Sequence, residues 1–364
     1  MRICILTEYL SYVGGGERVY CNWANILADR LGHDVVILSL EDADRTFYKL
    51  SSKVKVVSLK LRPYKYYQHP IKRRLGMVVH YQKDCRLIEE YLNKEKFDCI
   101  IGIATNICML LSNVKTNCPK IGTEHTEYNA PFSLLRYFRN RKYKYLDYLT
   151  VLTEDDRKLY GRFLKNVSVM LNPLSFVPSK ISNLDNKVLI SVGSLSPQKN
   201  QKRMLEVFQR VHVVHPEWKL IIYGEGTLRS NLENYAVHLG IQDYVCFPGA
   251  VENVSSVLSE SSIFLLTSKI EGFGLVLIEA MACGLPCVSF MAPGPNSIIE
   301  DGKNGYLIPQ GDIEQFSESV CLLIENSYIR KKMGKYAQTC VHKYSIESAI
   351  NSWKSLLLNI IKEE

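Results

Sequence analysis

Glu271-Gly-Phe-Gly-Leu-Val-Leu-Ile-Glu279, running on through Ala280-Met-Ala-Cys283 to Gly284, is the stretch on which the reading of this chain turns. The apolar run before it, Ser262-Ile-Phe-Leu-Leu-Thr267, has the composition of a buried strand and delivers the chain to Glu271. Gly272 and Gly274 permit a sharp turn and a close approach of backbone to another molecule. From Leu275 the residues favour a helix that is apolar all round, hence buried, and that Gly284 stops with Pro286 just beyond. Glu279 falls in its middle, where an ionised carboxylate is costly unless something hydrogen-bonds it. A strand, a glycine turn and a helix start also present unpaired N–H groups together, an arrangement that receives an anion. The segment thus offers amides for a phosphate and two carboxylates for hydroxyl groups, and a nucleotide-sugar presents both. The residues alone leave another reading open, with Glu271 solvated on its loop and Glu279 paired with a buried Lys or Arg.

A chain of 364 residues exceeds what one core usually supports, so two domains are expected. The eleven cysteines are odd in number and contain no C-x-x-C pair, which points to neither a zinc site nor a disulfide framework. Cys4, Cys99, Cys108, Cys246 and Cys287 lie in apolar runs and read as small core residues, which suits a reducing, cytoplasmic compartment. Met1-Arg-Ile-Cys-Ile-Leu-Thr7 is too short for a signal peptide and reads as the first strand. No apolar run reaches the roughly 18 residues of a membrane span.

The net charge of +8 is concentrated. From Lys60 to Lys83 inclusive there are seven basic residues and no acidic one, with Tyr64, Tyr66, Tyr67 and His69 interleaved. A second cluster, Arg136 to Tyr145, mixes Arg136, Arg139, Arg141, Lys142 and Lys144 with Tyr137, Phe138, Tyr143 and Tyr145. Aromatic rings among cations suit the headgroup layer of an anionic membrane. A solvated basic face and stacking on RNA are the competing readings.

Strands and helices alternate along the whole chain, which predicts parallel sheets with helices on both faces. A polar stretch, Ser175 to Asn186, reads as a linker between two such units. The expected division is 1–173, 174–345 and a last helix, 346–364, crossing back to the first domain. Two further elements border the strand ends. Gly14-Gly15-Gly16 follows strand one at a helix start and forms a nest that a phosphate can approach, or a plain tight turn. It is not the dinucleotide fingerprint, because Val19 stands where the last glycine belongs. Ser191-Val-Gly-Ser-Leu-Ser-Pro-Gln-Lys-Asn200 places Lys199 on a loop after a strand, where an ammonium sits against a diphosphate as a point charge.

Glu271 and Glu279 resemble the E-x7-E motif of retaining glycosyltransferases of family 4, and the fuller pattern E-G-F-G-L-x-x-x-E-A-M-A-x-G-x-P matches Glu271 to Pro286 without a gap. The resemblance implies the GT-B fold, two Rossmann-like domains facing across a cleft. It implies that Gly15 and Gly16 line the cleft, that Lys199 meets the leaving pyrophosphate, and that Glu271 contacts hydroxyls of the donor sugar. It also implies that Glu279 holds the ribose, and that Gly249 and Val251 border the base pocket. The family pairs its lysine with an arginine, but Ser194 occupies the arginine position, so either Lys199 and the amides near Gly272 and Gly274 suffice or a nearby basic residue such as Lys202 or Arg203 substitutes. Ser297 likewise replaces a glutamate of a G-P-x-E-I-I segment, whose carboxylate is absent here. His125, in Glu124-His-Thr-Glu127, matches a histidine near the reacting centre. Asn172-Pro173 resembles an interdomain N-P.

The mechanism so implied is transfer with retention from a nucleoside diphosphate sugar. Lys199, with N–H groups around Gly272, Phe273, Gly274 and Leu275, would hold the departing charge. No metal cluster is visible and the family needs none, so the only small partner expected is the donor, a UDP-sugar. The acceptor expected is a lipid-linked saccharide of capsule, O-antigen or exopolysaccharide assembly. The enzyme would lie on the inner face of the cytoplasmic membrane through its basic, aromatic clusters, with no nucleic acid as partner. An epimerase or hydrolase of the same fold, and a non-catalytic module binding sugar-nucleotide or RNA, are the alternatives.

Overall fold

The computed structural model describes residues 1–10, 15–42, 46, 48–63, 80–130 and 133–362. It divides into two compact units, Met1–Pro173 with Ile346–Glu364, and Leu174–Ser345.

The first unit is built on β1 (Arg2–Thr7), α1 (Gly15–Asn25), β2 (Asp34–Asp42), β3 (Val54–Pro63), α2 (Tyr81–Glu95), β4 (Cys99–Ile103) and α3 (Ala104–Leu111). It continues with β5 (Lys120–Thr123), α4 (Ser133–Tyr143), β6 (Tyr148–Val151), α5 (Glu154–Tyr160) and β7 (Val167–Val169). The strands form one parallel sheet in the order β3-β2-β1-β4-β5-β6-β7. Ile3, Cys4, Ile5 and Leu6 are fully buried, as befits a central strand covered by helices on both faces. The last turn of α1 widens into a π-helical segment, Ile26–Arg30.

The second unit contains β8 (Val188–Val192), α6 (Gln201–Val214), β9 (Lys219–Tyr223), α7 (Arg229–His238), β10 (Val245–Gly249), α8 (Val254–Ser259) and β11 (Ile263–Leu266). There follow α9 (Leu275–Ala282), β12 (Cys287–Phe290), α10 (Pro293–Ile298), β13 (Gly305–Ile308), α11 (Ile313–Glu325) and α12 (Ser327–Cys340). Its parallel sheet runs β10-β9-β8-β11-β12-β13. A core of Leu189, Leu205, Phe208, Leu220, Leu265, Phe290 and Phe316 fills the space between sheet and helices. The last helix, α13 (Ile346–Lys362), belongs to the first unit. Its residues Ala349, Ile350, Trp353, Leu356, Leu357 and Ile360 form one buried stripe at helical spacing.

Three readings of the sequence are qualified by the structure. Cys246 is exposed rather than in the core, because it lies on an edge strand, β10, with one side chain in two turned outward. Arg139 and Tyr143 are fully buried, so the cluster around α4 is not a uniform outer face. Lys202 and Arg203 are not unengaged cations: Lys202 Nζ stands over the Tyr235 ring at 4.4 Å and Arg203 pairs with Glu206 at 2.6 Å. Most of the other basic cluster, including Tyr64, Tyr66, Tyr67, His69, Lys72, Arg73 and Arg74, lies outside the described residues. No described helix is long and apolar enough to cross a membrane.

Candidate functional site

In the second unit β8 pairs with β9 on one side and β11 on the other, so the loops leaving β8 and β11 diverge to opposite faces of the sheet. Ligands of open parallel sheets bind at such a switch point, beyond the carboxyl ends of the strands. The two loops here carry Lys199 and Glu271. The Lys199 ammonium lies 2.6 Å from Glu271 Oε2, with the lysine side chain 24% and the glutamate 12% exposed. Ser268 Oγ donates to the same oxygen at 3.2 Å.

The backbone beneath this pair is held by side chains that local sequence does not single out. Thr267 Oγ1 donates to the carbonyls of Lys199 and Asn200, each at 3.2 Å. Lys269 N–H donates to the Gln198 carbonyl at 2.9 Å, and Gln198 Nε2 returns a bond to the Ile270 carbonyl at 2.9 Å. Gln310 Nε2 ties the Ser268 carbonyl at 2.9 Å to that of Met291 at 2.7 Å. The two loops are therefore one stitched surface. Asn200 sits in the left-handed region at φ 57°, which Asn tolerates well, and so turns the chain from Lys199 into α6.

Gly274 precedes α9 at φ 91°, in the region that favours glycine; its carbonyl accepts Leu277 N–H at 2.8 Å, and helix geometry leaves the N–H groups of Leu275 and Val276 without intrahelical partners. Leu275 opens the helix and is half-buried, Gly272 is half-buried, and Phe273 is buried against the Tyr344 ring at 5.6 Å. Gly294 N–H donates to the Glu271 carbonyl at 2.8 Å, and a Cβ there would stand 2.3 Å from the Phe273 carbonyl oxygen. Only glycine lets α10 start that close to the elbow. Ser297 Oγ, at the position of the absent glutamate, donates to the Gly294 carbonyl at 2.7 Å and so serves its own helix. Glu279 is buried in the middle of α9, 1% exposed.

Ser194 is exposed at the end of β8, its hydroxyl 3.3 Å from that of Ser196, and its carbonyl accepts Gln201 Nε2 at 2.8 Å. Gly249 ends β10 at φ 97° and its carbonyl accepts Gly224 N–H at 2.8 Å, while Val251 is half-buried just beyond. Arg229 fixes this corner through Glu225 at 2.9 Å, Glu233 at 3.0 Å and the Phe247 carbonyl at 2.5 Å.

In the first unit Gly15 and Gly16 open α1 and are exposed, and a Cβ at Gly16 would meet no atom within 4 Å. Gly14 lies outside the described residues. His125 follows β5 and packs on Trp23, ring centroids 5.3 Å apart. Thr123 Oγ1 donates to the Gly102 carbonyl at 3.0 Å and stands 3.4 Å from His125 Nε2, while His125 Nδ1 is enclosed with no partner among the described residues. Burial pushes the imidazole pKa down to about 4, so the ring is neutral at pH 7. Beside it Glu124 accepts hydrogen bonds from the Tyr143 hydroxyl, from Thr105 at 2.9 Å and from Thr126 at 3.1 Å. Burial raises the Glu124 pKa, against the opposing pull of Tyr143, Arg139 and the threonines. Arg139 lies between the rings of Tyr128 at 4.7 Å and Tyr160 at 4.8 Å. The Trp23 contact and the Arg139 burial had no local signal in the sequence. Among the described residues no group of three or more His, Cys, Asp or Glu is placed to hold a metal.

Each of the two units matches the model of a known family. The model described as Glycosyltransferase Family 4 matches residues 13–172, and that of Glycosyl transferases group 1 matches residues 176–339. An uncharacterized glycosyltransferase of Haemophilus influenzae is 32% identical, the match covering 94% of this chain and 96% of that protein. The Campylobacter jejuni GalNAc-alpha-(1->4)-GalNAc-alpha-(1->3)-diNAcBac-PP-undecaprenol alpha-1,4-N-acetyl-D-galactosaminyltransferase is 28% identical over 95% of this chain and 96% of its own. Among solved structures, HepE of Anabaena in complex with UDP superposes with a TM-score of 0.77 at 16% identity, covering 99% of this chain and 100% of that one. The matches to both units and the near full-length Haemophilus relative place this chain in family 4 of the glycosyltransferases, a transferase with the two-domain, Rossmann-like GT-B fold.

Proposed function

We propose that the chain is a retaining glycosyltransferase that moves a hexose or N-acetylhexosamine from a UDP-sugar to a lipid-linked saccharide in surface-polysaccharide assembly. The observation that carries this reading is the ion pair of Lys199 and Glu271 at the switch point, beside a glycine elbow that leaves helix amides free. In the proposed reaction the bond between the anomeric carbon and the β-phosphate oxygen breaks, and the electron pair leaves with UDP. Lys199 and the N–H groups at the start of α9 stabilise that charge. Glu271 holds sugar hydroxyls and Glu279 the ribose. The acceptor hydroxyl attacks the same face, and its proton passes to the departing phosphate. Neutral His125 meets the reacting sugar as a hydrogen-bonding group. With Ser194 in place of a guanidinium, Lys199 is the principal cation for the diphosphate.

Support for the acceptor comes from the Campylobacter relative, named for a saccharide on PP-undecaprenol, and for the donor from the UDP in the HepE structure. Support for a membrane surface comes from α4. Leu134, Tyr137, Phe138 and Arg141, with Tyr145 just past the helix, recur at three- and four-residue spacing and are all exposed, Tyr145 by 64%. No acidic residue lies between Glu127 and Asp147. That face suits an anionic bilayer. The test is incubation with a panel of UDP-sugars, with and without extracted lipid acceptors and with EDTA present, products being read by mass. Sugar transferred to lipid despite the chelator supports the reading; free sugar alone points to a hydrolase or epimerase, and no UDP-sugar binding by calorimetry overturns it.

A further inference from the structure

Among the described residues a single long hydrogen bond is all that ties the plane of the His125 ring. Its Nδ1 has no partner among the described residues, and its Nε2 contact with Thr123 is long, 3.4 Å. Ring packing is what remains. Trp23, 1% exposed, lies 5.3 Å from the imidazole at an interplanar angle of 41°. Trp353, fully buried, meets Trp23 edge-on, centroids 5.3 Å apart at 79°. Neither indole N–H has a hydrogen-bond partner among the described residues, so these rings too are held by packing. The far end of the series is anchored, because Ala349 and Ile350 of α13 pack with Ile26 in the π-helical segment that continues α1.

We propose that Trp353 and Trp23 are positioning residues that set the orientation of His125, so that α13, more than two hundred residues further along the chain, completes the reacting centre of the first unit. This rests on the role assigned to His125 above. An imidazole held by ring contacts and one long hydrogen bond turns when either indole shrinks, and a small misplacement of a reacting group is costly in rate.

The test compares Trp353→Phe with the parent protein by three readings: the NMR titration of the His125 imidazole, identified by its loss in His125→Asn, and kcat and KM for the donor. The expected result is a titration midpoint rising from about 4 towards the ordinary 6.5, with kcat lower on the order of tenfold and KM little changed. In the His125→Asn background Trp353→Phe should add nothing to the loss. Leu358→Ala, on the exposed face of α13, should leave all three readings alone. An unmoved titration, or the same fold-loss in both backgrounds, overturns the proposal, since a merely structural tryptophan weakens both proteins equally. Should Trp353→Phe not fold, Trp23→Phe replaces the middle indole with a smaller phenyl ring and leaves the α13 contacts with Ile26 in place. The titration needs no turnover, so a protein inactive on every donor would sink the proposed function while the ring series was still judged by NMR.

Discussion

The two units solve the same topological problem with opposite electrostatics. At the switch point of the second, a lysine and a glutamate form an ion pair that stays partly open to solvent. In the first, His125 is held neutral by burial, and the adjacent charges, Glu124 and Arg139, are sealed among tyrosines and threonines. An open pair is available to a ligand and contributes little to stability. A buried network contributes to specificity of fold and tolerates no loss of a partner. The second unit therefore holds its charge pair at a sheet switch point, partly open to solvent, and the first encloses its charged groups beside a neutral ring.

Removing one side of each arrangement should separate these roles. Arg139→Leu removes a buried guanidinium held between the rings of Tyr128 and Tyr160 and is expected to cost about 4 kcal/mol, roughly 2 for each desolvated ring contact, read as an earlier urea transition for the first unit while the second keeps its own. Equal losses in both units would break the comparison. Lys199→Ala should leave both unfolding transitions nearly in place and lower kcat on the order of a hundredfold, equivalent to about 3 kcal/mol of lost charge stabilisation. A variant with full turnover would remove Lys199 from the mechanism.

Acid sharpens the contrast further. The folded His125 pKa lies near 4 and the ordinary value is 6.5, so the unfolded chain binds the extra proton between them. The contribution of neutral His125 is complete above about pH 6.5 and is lost as pH falls towards 4. Although Nδ1 is enclosed, the residue as a whole is only half-buried, so the expected loss is discounted to about 2 kcal/mol. Unfolding midpoints of His125→Asn should lack that slope. The smallest effect concerns Ala104, which leaves β4 at φ 67°, where a Cβ is strained. Ala104→Gly should stabilise the first unit by about 1 kcal/mol in the same urea experiment; a loss would mean that the added freedom of the unfolded chain outweighs the relief.

The elements easiest to read were those with punctuation. Helix α9 was legible end to end because glycines bracket an apolar run, and α11 because an amphipathic pattern follows Asp312, whose side chain accepts Gln315 N–H. Strand β3 was not, since it is an edge strand whose lysines, Lys55 and Lys60, break the apolar run. Nothing local distinguishes the buried Arg139 from the exposed Arg141 two residues on. The residues of the candidate site were named from the motif, but the bond between Lys199 and Glu271 spans 72 positions and appears only when β8 and β11 lie side by side.

The division of the chain also has a bearing on its synthesis. Residues 174–345 are contiguous and make a unit whose strands all lie within them. The amino-terminal unit is translated first yet must await α13, because Trp353 and its neighbours fill its interior. The first unit thus keeps an open apolar face while the whole of the second is synthesised, the condition in which nascent chains meet chaperones. A stop codon before residue 346 would be felt furthest from where it falls.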